Sequence, residues 1–160
     1  MNSKNTAPLQ KARNYAFLLL KFRLRSEKEL YQRLKRKKFE EGVIRETLSF
    51  LKDKAFIDDR LFTKTWIEFR LKRPLGLRRI KEELNLKGIP REVIDSEIIA
   101  TKENYREEDV VDRIALQKLG QLKGIEPDKA KRRLYAYLLR RGFSPEVVMD
   151  AVNQLCKRTS

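Results

Sequence analysis

The residues of this chain that can do chemistry are its cations, and they come in runs. Arg23 and Arg25 form a pair, and Arg33, Lys35, Arg36, Lys37 and Lys38 crowd a short stretch just after it. Arg70, Lys72, Arg73, Arg78 and Arg79 surround Pro74-Leu75-Gly76, and Lys129, Lys131, Arg132, Arg133, Arg140 and Arg141 form a fourth cluster. Guanidinium and ammonium groups spaced in this way bind successive phosphates without reading sequence. Each run taken alone is equally a solvated helix face whose last-turn cations complement the dipole. Recurrence along the chain favours binding, because a groove that tracks a backbone needs spaced contacts. Tyr31, Tyr135 and Tyr137 lie among the clusters, where they could stack on bases or form the edge of a core.

Other chemistries lack their residues. The chain has no histidine and a single cysteine, Cys156. The commonest general base is therefore missing, and a zinc site within one chain has no ligand set. Metal-assisted phosphodiester cleavage needs clustered carboxylates. The acids here instead sit at helix starts or at ion-pair spacings such as Glu29–Arg33. Asp58 and Asp59 have no third acid or histidine placed to complete a metal site, so they read as an N-cap and a first-turn acid. No glycine-rich phosphate loop is present. The expectation is a binding protein, not an enzyme, with no catalytic residues, no cofactor and no metal.

The whole chain agrees with the clusters. Among its 160 residues 38 are Lys or Arg and 23 are Asp or Glu, a formal net charge of +15. Such an imbalance favours a polyanionic partner. Nucleic acid fits first, with an anionic membrane surface or an acidic protein groove as alternatives. Residues 1–57 carry net +9, residues 58–104 net +2 and residues 105–160 net +4. No apolar run approaches the roughly 20 residues that span a bilayer, and Lys21 and Arg23 interrupt the apolar patch near the start. No signal peptide is expected. A lone cysteine fits a reducing cytosol. A cytoplasmic monomer is expected.

Helices must carry these clusters. Apolar residues recur at helical spacing almost throughout: Tyr15/Ala16, Leu19 and Leu20, then Leu30 and Leu34, then Val43, Ile44, Thr47, Leu48 and Leu51. Next come Leu61, Phe62, Thr65, Trp66 and Phe69, with Trp66 assigned to the core, followed by Leu77, Ile80 and Leu84, and by Val93, Ile94 and Ile98. The last three stripes are Val111, Ala115, Leu119 and Leu122; Ala130, Leu134 and Leu138; and Val147, Val148, Val152 and Leu155. No strand-like alternation is sustained. The expected class is all-α with nine helices, arranged as three tandem three-helix repeats in an elongated, curved array.

The nine fall into threes because Leu30, Ile80 and Leu134 correspond, as do Leu34, Leu84 and Leu138, and Phe39, Ile89 and Phe143. The expected repeats are residues 1–57, 58–104 and 105–160. A shared phrase, "LKRKKFEEGVI", "LNLKGIPREVI" and "LLRRGFSPEVV", reads as a helix end, a turn and a new helix. Gly88 and Gly142 supply the left-handed residue after the second helix of a repeat, and Pro90 and Pro145 start the third, with Ser144 as N-cap. Lys38 stands where the first repeat would have glycine, so that turn is expected to be irregular or strained.

In "RLRSEKELYQRLKRKKF", "VIRETLSFLKDKAFIDDRLFTKTW", "PLGLRRIKEELNLKGIPREVI" and "RRGFSPEVV", from about Leu19 to Val152, the chain resembles the RecX family, regulators of the RecA recombinase. The resemblance implies three three-helix repeats and binding in the helical groove of the RecA–DNA filament. Filament growth, ATPase and strand exchange would be restrained, and homologous recombination and the SOS response damped. It implies the RecA filament as partner; the net charge and the recurrent clusters add single- and double-stranded DNA, held weakly and without sequence preference, and the lack of a spanning segment leaves no membrane expected. The basic clusters are the candidates for contact. The alternative is a sequence-indifferent or helix-turn-helix DNA-binding protein acting without RecA. Its recognition helix would need base-reading side chains, and the candidate helices offer mostly Lys, Arg and Glu.

Overall fold

The computed structural model describes residues 6–158, with side chains as far as Leu155; Cys156 therefore lies outside the described side chains. Among these residues there are nine helices and no strand: α1 (Thr6–Phe22), α2 (Glu27–Arg36), α3 (Glu41–Asp53), α4 (Asp59–Leu71), α5 (Leu77–Leu86), α6 (Arg91–Lys102), α7 (Glu107–Gly120), α8 (Pro127–Arg140) and α9 (Pro145–Arg158). None of the helices is long and apolar enough to cross a membrane, among the described residues.

The chain divides into two compact units. One comprises the residues up to Trp66 with Leu84–Ile94, the other Ile67–Glu83 with the residues from Asp95 onward. Helices α4, α5 and α6 contribute residues to both. In the first unit α1, α2 and α3 pack pairwise. Ala12, Ala16 and Leu19 meet Leu30, Leu34, Val43, Ile44, Leu48, Leu51 and Ile57. Alanines on α1 leave room for the larger side chains of its neighbours. In the second unit α7, α8 and α9 pack pairwise around Val111, Ile114, Ala115, Leu134, Leu138, Phe143, Val148 and Val152. Phe143 is fully buried and Phe39 only partly so.

The helix starts and turns repeat in register. Ser26, Gly76 and Glu126 immediately precede α2, α5 and α8. Lys38, Gly88 and Gly142 follow the same helices, all with positive φ, at 62°, 75° and 83°. Each donates its backbone N–H three residues back, to Lys35, Asn85 and Leu139 respectively, at 2.9 Å. The starts are spaced evenly, whereas α8 has 14 residues against 10 in α2 and α5. The extra length is one helical turn, and it accounts for the longer second interval between the turns.

Hydrogen bonds tie the start of one middle helix to the end of the next. Ser26 caps α2 in a capping box with Glu29, and its Oγ donates to the Lys87 carbonyl at 2.7 Å. At the equivalent place Gly76 N–H donates to the Arg141 carbonyl at 2.9 Å. Acids from the following first helix close the arrangement. Asp59 Oδ1 accepts from Glu27 N–H at 3.0 Å, and Glu107 Oε1 accepts from Leu77 N–H at 3.4 Å. The third repeat does not offer this contact. Pro127 opens α8 without an N–H, and Glu126 turns back to accept from Asp128 and Lys129 N–H, both at 2.9 Å. The same face that joins earlier repeats is self-capped here.

Helix α4 departs from the expected stripe. Phe62, Thr63 and Ile67 are buried, while Leu61 and Phe69 are half exposed and Thr65 is exposed. Thr63 is hidden despite its hydroxyl because Oγ1 donates to the Asp59 carbonyl at 2.6 Å. Trp66 is half-buried, not core: the Lys87 ammonium sits 4.2 Å from its ring centroid. Asp58 caps the helix, accepting from Arg60 and Leu61 N–H at 2.8 and 3.1 Å.

Candidate polyanion interface

Helix α8 carries a cationic groove. Lys129, Arg132, Arg133, Ala136 and Arg140 fall at i, i+3, i+4, i+7 and i+11, so one helix face presents them all. Together with Tyr137, and with Lys118 and Leu122 from α7 and the turn after it, they line a groove of about 620 Å³. No acidic side chain lines it. None of Lys129, Arg132, Arg133 and Arg140 has an ion-pair partner among the described residues, so their charge is free for a ligand. Tyr137 is half-buried, with the Lys118 ammonium 4.9 Å and the Arg141 guanidinium 4.8 Å from its centroid. Its ring is occupied by the protein's own cations, which removes it as a stacking surface. Arg141 is a brace: its guanidinium donates to the Pro74 carbonyl at 3.2 Å. Tyr135 packs against the core.

A second groove, about 290 Å³, lies between the end of α1 and α2. Arg23, Arg25, Glu29, Gln32, Arg33 and Arg36 line it. Arg23 grips Glu29 with two bonds, 3.0 and 3.1 Å, and Lys87 adds a third at 2.8 Å. Burial alone would raise the Glu29 pKa, but the bonds from Arg23 and Lys87 outweigh it and hold the carboxyl at about 2. Arg25 donates to the Leu19 carbonyl at 3.3 Å, and burial, then the charge of Arg23, lowers its pKa. Arg33 and Arg36 have no ion-pair partner among the described residues and supply the free charge of this groove.

The remaining cations of the first unit lie outside that lining. Lys35 donates to the Tyr31 hydroxyl at 3.3 Å, and that hydroxyl donates to Glu41 at 3.1 Å. Lys37 lies 5.3 Å from the Tyr15 ring. Lys38 is exposed on its left-handed turn.

The middle cluster is structural in part. Arg70 is half-buried and ion-paired with Glu83. Arg79 Nε lies 3.6 Å from the same carboxylate, and its guanidinium donates to the Arg140 carbonyl at 3.3 Å. One acid thus engages two of the five cations. Arg73 packs 5.8 Å from the Phe69 ring. Lys72, Arg73 and Arg78 are exposed, and Arg78 borders a different groove, which holds Glu107, Glu108 and Glu146 as well.

Lys118 is the groove residue that sequence reading missed. It lies on α7, outside every basic run, and only the packing of α7 on α8 brings it to the site. Among the described residues no group of three or more Cys, Asp or Glu side chains gathers as a metal site would require.

Three family models match the chain: RecX, first three-helix domain, over residues 12–51; RecX, second three-helix domain, over residues 58–96; and RecX, third three-helix domain, over residues 106–152. The regulatory protein RecX of Clostridium beijerinckii is 37% identical over 134 residues, covering 82% of this chain. This chain spans 62% of that relative's length. The regulatory protein RecX of Chlorobium limicola is 32% identical over 155 residues, covering 96% of this chain and 92% of its own. The crystal structure of RecX from Lactobacillus salivarius superposes with a TM-score of 0.82 over 93% of this chain and 97% of that one. At 21% identity that likeness establishes the three-helix fold. The similarity in sequence goes further: this chain belongs to the RecX family of regulatory proteins.

Proposed function

We propose that this protein binds the RecA–DNA filament and restrains its growth, its ATPase and its strand exchange, and so damps homologous recombination and the SOS response. Family membership supports the target. The observation that carries the contact is the α8 groove, where four cations on one helix face lack ion-pair partners and no acid intervenes. A polyphosphate backbone is the ligand such a face suits. Arg33 and Arg36 offer a smaller contact of the same kind. The three repeats divide at residues 1–57, 58–104 and 105–160, a division supported by the recurring turns at Lys38, Gly88 and Gly142. The protein acts as a binding protein in the cytoplasm.

RecA-dependent ATP hydrolysis on single-stranded DNA, measured with and without this protein, tests the reading. Hydrolysis should fall as the protein is added. Unchanged hydrolysis at concentrations that saturate DNA binding would favour a DNA-binding role without RecA.

A further inference from the structure

We infer that the outer face of α1 is a docking surface for an acidic amphipathic helix of a partner protein, separate in chemistry from the phosphate-binding groove on α8. The inference rests on the reading above only in taking RecA as the partner that displays such a segment.

Helix α1 has two faces. Ala12, Ala16 and Leu19 are buried in the first unit. Leu18 and Phe22 point elsewhere: at 100° per residue they lie about a third of a turn from the buried stripe, and they are neighbours at i, i+4. Leu18 is 52% exposed and Phe22 76%. Leu24, just beyond the helix, is 42% exposed. Scattered exposed apolar residues are ordinary, but these three fall within seven positions, and two share one helix edge.

Charge selects the occupant. Lys11 shares the face of Leu18 and Phe22 by helical phase, and Lys21 lies at i+3 from Leu18. Both are exposed and neither has an ion-pair partner among the described residues. Arg23 and Arg25 follow at the helix end. No acid occurs in the sequence before Glu27, so nothing in this stretch repels a partner's carboxylates; Glu29 engages Arg23, and Lys11 and Lys21 supply the free charge of the face. Phosphate backbone would satisfy the cations and leave Leu18 and Phe22 in water. A helix with apolar residues at i, i+3, i+4 and i+7 and glutamates on its flanks satisfies both. A second copy of this chain would bring like charge against like charge and is disfavoured.

The test uses two variants of the full chain, Leu18→Ser/Phe22→Ser and Arg132→Glu/Arg133→Glu. The probe is a fluorescein-labelled designed 18-residue peptide with Leu on one helical face and Glu flanking it; a scrambled peptide of the same composition is the control. Anisotropy should show the parent binding the amphipathic peptide at least about tenfold more tightly than the scrambled one. The first variant should lose that preference, and the second should keep it. Equal binding of both peptides, or an unchanged preference in the first variant, overturns the docking face. So does binding to phosphatidylglycerol vesicles without binding to the peptide, which would assign the face to a lipid surface. RecA ATPase gives the second arm. The first variant should inhibit less than the parent while binding single-stranded DNA equally well; inhibition equal to the parent's overturns RecA as the occupant. If the parent itself does not inhibit RecA, the proposed function fails, and the peptide arm still decides the docking face.

Discussion

Gly142 and Arg79 stand closer than any side chain at position 142 would allow. A Cβ there would lie 2.3 Å from the Arg79 Cβ and 2.6 Å from its backbone nitrogen. Gly88 is under the same kind of neighbour, with Lys28 Cδ at 2.2 Å from its missing Cβ. In each case the start of one middle helix presses on the turn that ends the next. Glycine is needed twice over, for the positive φ and for the space. Gly142→Ala should therefore cost at least about 2 kcal/mol, adding left-handed strain to a collision with rigid backbone. Gly88→Ala should cost less, since Cδ and Cγ of Lys28 can swing away and only its Cβ, 2.7 Å from the added methyl, is held by the backbone. Thermal melts of the two variants check the order, and equal losses would refute it.

Lys38 occupies the corresponding turn of the first repeat and is exposed there. Only the strain of φ 62° remains. Lys38→Gly should stabilise the protein by roughly 0.5–1 kcal/mol, the relieved strain less the extra freedom of glycine in the unfolded chain. Urea midpoints of variant and parent measure this. A loss of stability would mean that the lysine side chain holds something in place.

The turns at Gly88 and Gly142 were legible in the sequence because a residue type and a local conformation coincide there, whereas the Lys38 turn, expected to be irregular or strained, keeps the same hydrogen bond at a positive φ. The stripes on α3, α5 and α8 were legible for the same reason, one residue type for one buried face. Helix α4 was not. Its phase depends on Thr63, whose hydroxyl is satisfied by its own helix and so can be buried, while Leu61 and Phe69 stay half exposed. Charge was read by runs, and the runs hid their own neutralisation. Glu83 lies 13 residues from Arg70, and Lys87 lies 58 from Glu29. Only the folded chain shows that Arg70, Arg79 and Arg23 are held by acids while Lys129, Arg132 and Arg133 are free of them. Lys118 was invisible for the converse reason, being a cation with no run around it.

Glu29 gives a prediction in pH. Its carboxyl is held at about 2 against an ordinary 4.5. A depressed folded-state pKa contributes stability above the unfolded value that is lost as pH falls through the folded one. The Glu29 contribution should thus be complete above about pH 4.5 and vanish towards pH 2. Glu29→Gln should lower stability at pH 7 by about 2 kcal/mol, the scale of a charged hydrogen-bond set. It should also flatten the pH dependence between those limits. Urea midpoints at pH 7, 4.5, 3 and 2 test both; parallel curves for variant and parent would show that Arg23 and Lys87 do not hold the carboxylate.

The free and the engaged cations should separate in salt. A phosphate contact releases a counterion when it forms, so each one removed lowers the slope of log affinity against log salt by about 0.7 on single strands. Arg132→Gln/Arg133→Gln deletes two exposed charges from the α8 groove without touching Leu134 or Leu138. It should weaken binding to random-sequence single-stranded DNA and reduce the slope by about 1.4. Arg70→Gln deletes a cation held by Glu83. It should leave the slope unchanged and lower the melting temperature instead, because it leaves a half-buried carboxylate short of a partner. Arg33→Gln/Arg36→Gln should behave as the α8 pair does, with a smaller effect on affinity in keeping with the smaller groove. Circular dichroism confirms that each variant is helical before its slope is compared. If Arg70→Gln reduces the slope as much per charge as the α8 pair, the division between structural and phosphate-binding cations is wrong.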